Sequence, residues 1–178
     1  MGFEEAFQVF MNKHCNKSEG ERLKRLKEHG YLEKLLLEKV WWPAIGNFDH
    51  LHPEYEVVDY KDGDRFLDYA FIQPFIRINL EGDGYNPHSK GASKWQFSDE
   101  RNRQNDLIID DWIVIRFTYD DITSNPRRCQ MKLQQLMGKV MTIISSLLDK
   151  GAVEVIGDGE RIRCYRLLIK DVKPFLRL

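Results

Sequence analysis

FLDYAFIQPFIRINLEGDG, residues 66–84, contains two strand-like runs on either side of Gln73-Pro74-Phe75. Arg65–Ile72 and Phe75–Glu81 both alternate as strands do. A tight turn centred on Pro74-Phe75 would pair them as an antiparallel hairpin. In that register Asp68 lies opposite Glu81, Ala70 opposite Asn79 and Ile72 opposite Arg77, all on one side of the sheet. The other side holds Leu67, Tyr69, Phe71, Ile76, Ile78 and Leu80. One face is therefore nearly all apolar, and the other carries the charges.

Directly opposed residues bring their Cβ atoms to roughly 4.5–5.5 Å. Two carboxylates there repel by about 3 kcal/mol at an effective dielectric near 20. A proton, an arginine or a divalent cation has to offset that repulsion, and Arg77 is the one nearby cation this register places. Asp83 adds a third carboxylate at the end of the second strand. Three oxygen donors at a strand end suit Mg²⁺ or Mn²⁺. The plainer alternative is a solvated acidic turn in which the carboxylates splay apart.

Working outward, Phe3–Met11 reads as an opening helix, and Ser18 to Glu21 has capping-box spacing. Leu23, Leu26, Leu32, Leu35, Leu36 and Val40 follow at helical spacing, with Gly30 as a break and Pro43 as the end. HLHPEY (50–55) reads as a loop, Tyr55–Tyr60 as a first strand, and Asp62-Gly63 as a hairpin turn. Beyond the hairpin, Ser98-Asp99-Glu100 opens a helix running to about Ile109. WIVIRF (112–117) is an apolar run of the kind buried on both faces of a sheet. Asn125-Pro126 starts a long last helix through Leu148. Val153–Ile156 and Ile162–Leu167 flank the turn GDGE as two short strands. The expected fold class is α/β (α+β), a mixed central sheet flanked by helices, with a C-terminal helix and β-hairpin added. Three segments are expected: an N-terminal helical extension (1–30), a core (31–128) and a C-terminal helix with two strands packed on it (129–178).

Composition narrows the function classes. The chain has 178 residues, 42% hydrophobic and 31% charged, with a net charge of -1, which fits a soluble globular protein. No apolar run approaches the roughly 18–20 residues that span a bilayer, and the start MGFEEAFQVF lacks the pattern of a signal peptide. Cys15, Cys129 and Cys164 form neither a disulfide framework nor a CxxC pair. A cytoplasmic location and no membrane partner are expected. Arg101, Arg103, Arg127, Arg128 and Lys132 concentrate positive charge locally despite the balanced total, and a local basic face suffices for nucleic acid. His50 and His52 lack a cysteine or third histidine at zinc spacing.

The ordered set FLDYAFI, IRINLEGDGYNPH, DERNRQNDLIIDDWIVIRFTYDDI resembles the very-short-patch-repair (Vsr) endonuclease branch of the PD-(D/E)XK superfamily. That family's layout is a helical Glu, a strand Asp, then Glu-x-Asp-Gly ending the next strand. A His follows, then a helix with an acidic start, then a Trp-x-Val-x-Arg-Phe strand. The resemblance covers roughly residues 30–140. On it Glu38 matches the helical Glu, Asp68 the strand Asp, Glu81 to Gly84 the Glu-x-Asp-Gly, His88 the His and Asp99 the acidic helix start. Counting back from Leu107 and Trp112 favours Glu100 over Asp99 for the last. Gly82 stands where the family commonly has a branched apolar residue, and Asp110-Asp111 where it tends to have Gly before the Trp.

The resemblance implies a restriction-endonuclease-like, Vsr-like core and metal-dependent hydrolysis of DNA phosphodiesters. Asp68 and Glu81, with Asp83 or the Gly82 carbonyl, would hold Mg²⁺ (or Mn²⁺). His88 would serve as acid, base or phosphate ligand, oriented by Asp99, and Glu38 would reach the metal through water. Lys90, Lys94, Arg101, Arg103, Arg127 and Arg128 would contact phosphates of duplex or branched DNA. Trp95 is the best placed tryptophan for base stacking. Homodimerisation is left open. The alternative is a catalytically silent DNA-binding or regulatory protein that retains the endonuclease fold.

Overall fold

The computed structural model describes residues 1–58, 63–84, 94–157 and 162–168, with side chains from 94 to 97, at 157 and from 162 to 167 left out. The turns expected at Asp62-Gly63 and GDGE fall wholly or partly outside these residues.

Three helical segments lead into the sheet: α1 (Phe3–Cys15), α2 (Gly20–Lys27) and α3 (Tyr31–Leu36). The Ser18 capping box does not form: Glu19 is the N-cap of α2, and the Ser18 hydroxyl is buried without a partner among the described residues. Gly30 does separate α2 from α3, as the N-cap of the latter. Pro43, however, does not end the helix. The chain passes through a π-helical turn, Leu37–Trp41, into α4 (Trp42–Ile45), and stops at Gly46 with φ 82°. Proline cannot donate to the preceding turn and its ring crowds the carbonyl four residues back. A π-turn just before it re-routes those hydrogen bonds, so the helix continues for one more turn.

The sheet follows: β1 (Leu51–Val58), β2 (Asp64–Gln73), β3 (Ile76–Asp83), then β4 (Trp112–Thr118) after α5 (Lys94–Ile109). Strand order is β1-β2-β3-β4. β1 begins at Leu51, so HLHPEY belongs to a strand after all. β1 is an edge, and an edge tolerates Pro53, which has no N–H to donate. β2 and β3 pair antiparallel in the expected register, Ala70 to Asn79 and Ile72 to Arg77, about the two-residue Pro74-Phe75 loop. β4 pairs parallel with β3, Glu81 against Arg116, a connection that requires a long crossover such as α5 supplies. β4 is the other edge, and Ile113 to Arg116 are only partly buried. As expected, both its faces pack, Ile113 and Ile115 on the main core and Trp112 and Val114 on the smaller cluster, and the edge position leaves Ile113 to Ile115 only partly buried.

Tyr69, Phe71, Ile76, Ile78 and Leu80 pack into the main core with Phe7, Phe10, Leu36, Trp41 and residues of α7 (Pro126–Asp149). α7 contributes Cys129, Leu133, Val140, Ile143, Ile144 and Leu147 from one face. Before it lies a short helix not anticipated, α6 (Tyr119–Ser124), capped by the Thr118 hydroxyl accepting from Asp121 N–H at 3.1 Å. A separate pair, β5 (Val153–Gly157) and β6 (Ile162–Leu167), is antiparallel, as expected. The other sheet face packs Leu67, Ala70 and Trp112 against Leu107 of α5. Leu67 was expected on the opposite face, with Tyr69. The alternation slips between them. The β1–β2 ladder skips the Glu54–Asp68 pair, and Glu54 takes a positive φ of 44°, as at an irregularity that re-aims its neighbours.

Candidate functional site

The acidic end of β3 runs between β2 and β4 and beside α5, so its side chains are enclosed by three elements. Glu81 is buried at 5% exposure, and both its oxygens are engaged. Oε1 accepts from Asn79 Nδ2 at 2.9 Å and from Arg103 Nη2 at 2.8 Å. Oε2 pairs with Arg116 Nη2 at 2.7 Å. Charge-assisted bonds of this length are the strong ones. Arg103, from α5, also donates to the Phe66 carbonyl at 3.0 Å, and Arg116 Nη1 donates to Glu100 at 3.0 Å. Glu81 therefore joins β2, β3, β4 and α5 through two guanidinium groups.

Asp68 sits at the slip in β2. Its Oδ2 accepts the Gly82 N–H at 3.0 Å, replacing a ladder bond where the β2–β3 pairing ends. Burial pushes the Asp68 carboxyl up to about 7; the Gly82 N–H opposes this, while Glu81, and then Glu33 and Glu54, add to it. Asp83 is likewise raised by burial, with Glu81 and Glu100 adding and Arg116 and Arg103 opposing. A Cβ on Gly82 would lie 3.1 Å from Cγ of Leu32 in α3. Leu32 thus occupies the space that a larger residue at 82 would need.

The structure sorts the remaining expected residues. Arg77 was the one cation that the hairpin register placed near the acids. It instead lies over the Trp112 ring, 5.2 Å from its centroid, and donates to the Asp110 carbonyl. The cations on Glu81 are Arg103 and Arg116. Arg103 was expected to contact DNA phosphate, and its guanidinium is held by Glu81 and Phe66 instead. Asp99 pairs with Arg65 at 3.4 Å, whereas Glu100 joins the Glu81 network through Arg116, in line with the count that favoured Glu100. Glu38 is 42% exposed and pairs with its neighbour Lys39 at 3.1 Å. The helical carboxylate acting on Asp68 is Glu33. Arg101 donates to Gln104 at 3.1 Å, and Arg127 and Arg128 lie exposed in the first turn of α7. Lys94 and Trp95 lie in α5 with side chains outside the description, and His88 and Lys90 fall outside the described residues altogether.

Glu81 thus acts electrostatically on both Asp68 and Asp83. Among the described residues, however, no group of three or more His, Cys, Asp or Glu is gathered so that it could hold a metal ion as it stands. Among the described residues, no helix is long and apolar enough to cross a membrane.

Arg116 escaped notice in the sequence because its partner is set by the parallel β3–β4 register. The available signals were an arginine inside an otherwise apolar strand and its match to the Arg of the Trp-x-Val-x-Arg-Phe pattern. No family model, curated protein or solved structure matches the chain.

Proposed function

We propose that this protein is a metal-dependent DNA endonuclease with its reaction centre at the adjoining ends of β2 and β3. The observation that carries this reading is that Glu81 acts on Asp68 across the hairpin and on Asp83 along β3, within a helix, three-strand, helix, strand order. That order follows the layout of the endonuclease family the sequence resembles. All three side chains are hard oxygen donors, the type that suits Mg²⁺ or Mn²⁺. Four carboxylates (Asp68, Glu81, Asp83, Glu100) against two guanidiniums (Arg103, Arg116) leave the fully ionised cluster with a surplus of negative charge. The donor chemistry therefore fits a divalent cation.

Asp68, Glu81 and Asp83 would hold that cation. When bound, Mg²⁺ supplies charge stabilisation at phosphoryl oxygens and lowers the pKa of water. The protein's own part is positional. Gly82 N–H fixes the orientation of Asp68, and Asn79, 0% exposed, fixes one oxygen of Glu81. The test is plasmid nicking with Mg²⁺ or Mn²⁺ by the wild-type chain, Asp68→Ala and Glu81→Ala. Metal-dependent nicking that both substitutions abolish is the expected result. No nicking of duplex, mismatched, branched or single-stranded DNA by the wild type would overturn the proposal.

One observation favours a second reading, a catalytically silent DNA-binding or regulatory protein on the same fold. Glu81 is already neutralised by Arg103 and Arg116, so its charge needs no metal. On this reading DNA binding persists unchanged in Asp68→Ala and nicking is never seen.

A further inference from the structure

We propose that the outward face of α7 is the protein's docking surface for duplex DNA, and that it binds with no ion at the acidic centre. The inference rests on the DNA part of the reading above and deepens it by placing the duplex on the protein. Arg128, Lys132, Gln135 and Lys139 fall at i, i+4, i+7 and i+11, one line along a helix. Arg127 flanks the first of them, and all five residues are exposed. At 1.5 Å per residue the row runs about 17 Å. The opposite side of α7 carries Cys129, Leu133, Val140, Ile143, Ile144 and Leu147 into the main core, so the row is held facing outward.

Nothing in the protein answers its charge. Among the described residues Arg127, Arg128, Lys132 and Lys139 make no ion pair and no side-chain hydrogen bond. α7 contains no Asp or Glu before Asp149. Arg127 and Arg128 sit in its first turn, where the helix dipole disfavours cations and no acidic residue offsets them. Polar side chains of α7 that face a neighbour are used: Gln130 donates to the Lys39 carbonyl at 2.7 Å and Gln134 to the Ala44 carbonyl at 3.4 Å. Gln135, in the row, has no such partner among the described residues.

A row of one sign suits a uniformly charged polymer better than a protein surface, where both signs are interspersed. Arg, Lys and Gln are side chains that contact the phosphate and sugar oxygens of a duplex. A bilayer fits less well. The apolar side of α7 is already buried, and Met131 and Met141 are its only large exposed hydrophobics, too few to enter a membrane interface. A second copy of the same face would set like charges against each other. Two other arginines expected to meet DNA are engaged elsewhere, Arg103 with Glu81 and Phe66, and Arg101 with Gln104. α7 begins one short helix after Thr118, the β4 residue paired with Asp83, so the row starts from the acidic end of the sheet.

Fluorescence anisotropy with a short labelled duplex, in EDTA and over a series of KCl concentrations, tests the surface. The full chain is compared as wild type, Arg127→Gln/Arg128→Gln, Lys132→Gln/Lys139→Gln and, with the same change of charge, Lys17→Gln/Lys27→Gln. Lys17 and Lys27 are exposed and lie off α7. Each row variant should bind about tenfold more weakly than wild type, and its slope of log affinity against log salt should shrink by about two, one for each cation removed. The control should change by less than about threefold. No duplex binding by wild type, unchanged binding in both row variants, or a control as weak as they are overturns the inference. If wild type nicks DNA in that case, the endonuclease reading stands. Row-dependent binding by a wild type that never nicks supports the surface and overturns the endonuclease reading instead. Binding to phosphatidylserine vesicles but not to duplex makes the row a membrane contact and overturns the inference. Should a double variant fail to fold, the ¹⁵N-labelled wild type reads the same contact. The amide resonances of 128, 132, 135 and 139 must move as duplex is added, and unmoved resonances overturn the inference.

Discussion

Replacing Asp68 with Asn removes a carboxylate that the fold keeps among other carboxylates. Burial first, and then Glu81, Glu33 and Glu54, raise its pKa from 3.8 to about 7. Between about pH 4 and 7 the folded chain holds a proton that the unfolded chain has released. Stability from this group is therefore complete at low pH and falls as pH rises through the window. At about 1.4 kcal/mol per pKa unit the full displacement corresponds to roughly 4 kcal/mol. Partial solvent access to Asp68 reduces this, so about 2–4 kcal/mol is the expected cost above pH 7. Asparagine has nothing to ionise, and its Oδ1 can still accept the Gly82 N–H. With an unfolding entropy of about 2.1 cal/mol/K per residue over 178 residues, Asp68→Asn should raise Tm by about 5–10 °C at pH 8. At pH 4 the two proteins should differ by about 1 kcal/mol or less, since Asp68 is then protonated in the folded state. Thermal unfolding by circular dichroism in EDTA, at both pH values, measures this. The other titrating groups are common to both proteins and cancel in the difference. A variant no more stable than wild type at pH 8, or one equally advantaged at pH 4, would refute the assignment of Asp68 as a buried, repelled carboxylate.

Acid should act in the opposite sense through His14, which is 8% exposed and packed against the His52 ring at 5.5 Å. Burial, then the charges of His52, Arg22 and Lys13, lower His14 from 6.5 to about 4, so its contribution is present above pH 6.5 and lost as pH falls through 4. His14→Phe should flatten that loss by up to about 3 kcal/mol, read as the difference in urea midpoints between pH 7 and pH 4. Glu81→Gln leaves Arg103 and Arg116, only 27% and 17% exposed, without their carboxylate. Denaturant unfolding at pH 7 should show a loss of about 2–4 kcal/mol, and a neutral result would mean the clamp contributes nothing. Gly82→Ala puts a methyl 3.1 Å from Leu32 and should cost about 1 kcal/mol. Leu32→Ala in the same chain should recover part of that penalty, whereas simple additivity of the two losses would exclude the contact as its cause.

The hairpin was legible because two short-range signals agreed. Alternation in residues 66–72 and 75–81 assigned the faces, and Pro74-Phe75 set the loop length and hence the register, as Ala70 against Asn79 bears out. What escaped had no local signal. Leu67 crosses to the other face beside a break in the β1–β2 ladder, where Glu54 on the neighbouring strand adopts φ 44°, a conformation nothing in its identity requires. Glu38 was matched to the helical Glu through the resemblance alone, and it lies in the π-turn at Leu37–Trp41, where regular helical spacing does not hold.

The same distinction applies at the acids themselves. Opposed carboxylates on one hairpin demanded a proton, an arginine or a divalent cation, and hairpin geometry alone could not choose among them. The choice depends on what the rest of the chain brings to β3. The parallel crossover sets Arg116 beside Glu81, and α5 lowers Arg103 onto the same carboxylate. Asp68, reached by a backbone N–H and by no arginine among the described residues, is left to titrate near neutrality. Two of the three solutions are therefore in use at once, on adjacent carboxylates. On the endonuclease reading, a divalent ion held by Asp68 would compete with the proton that burial keeps there, so its binding should strengthen as pH rises past 7.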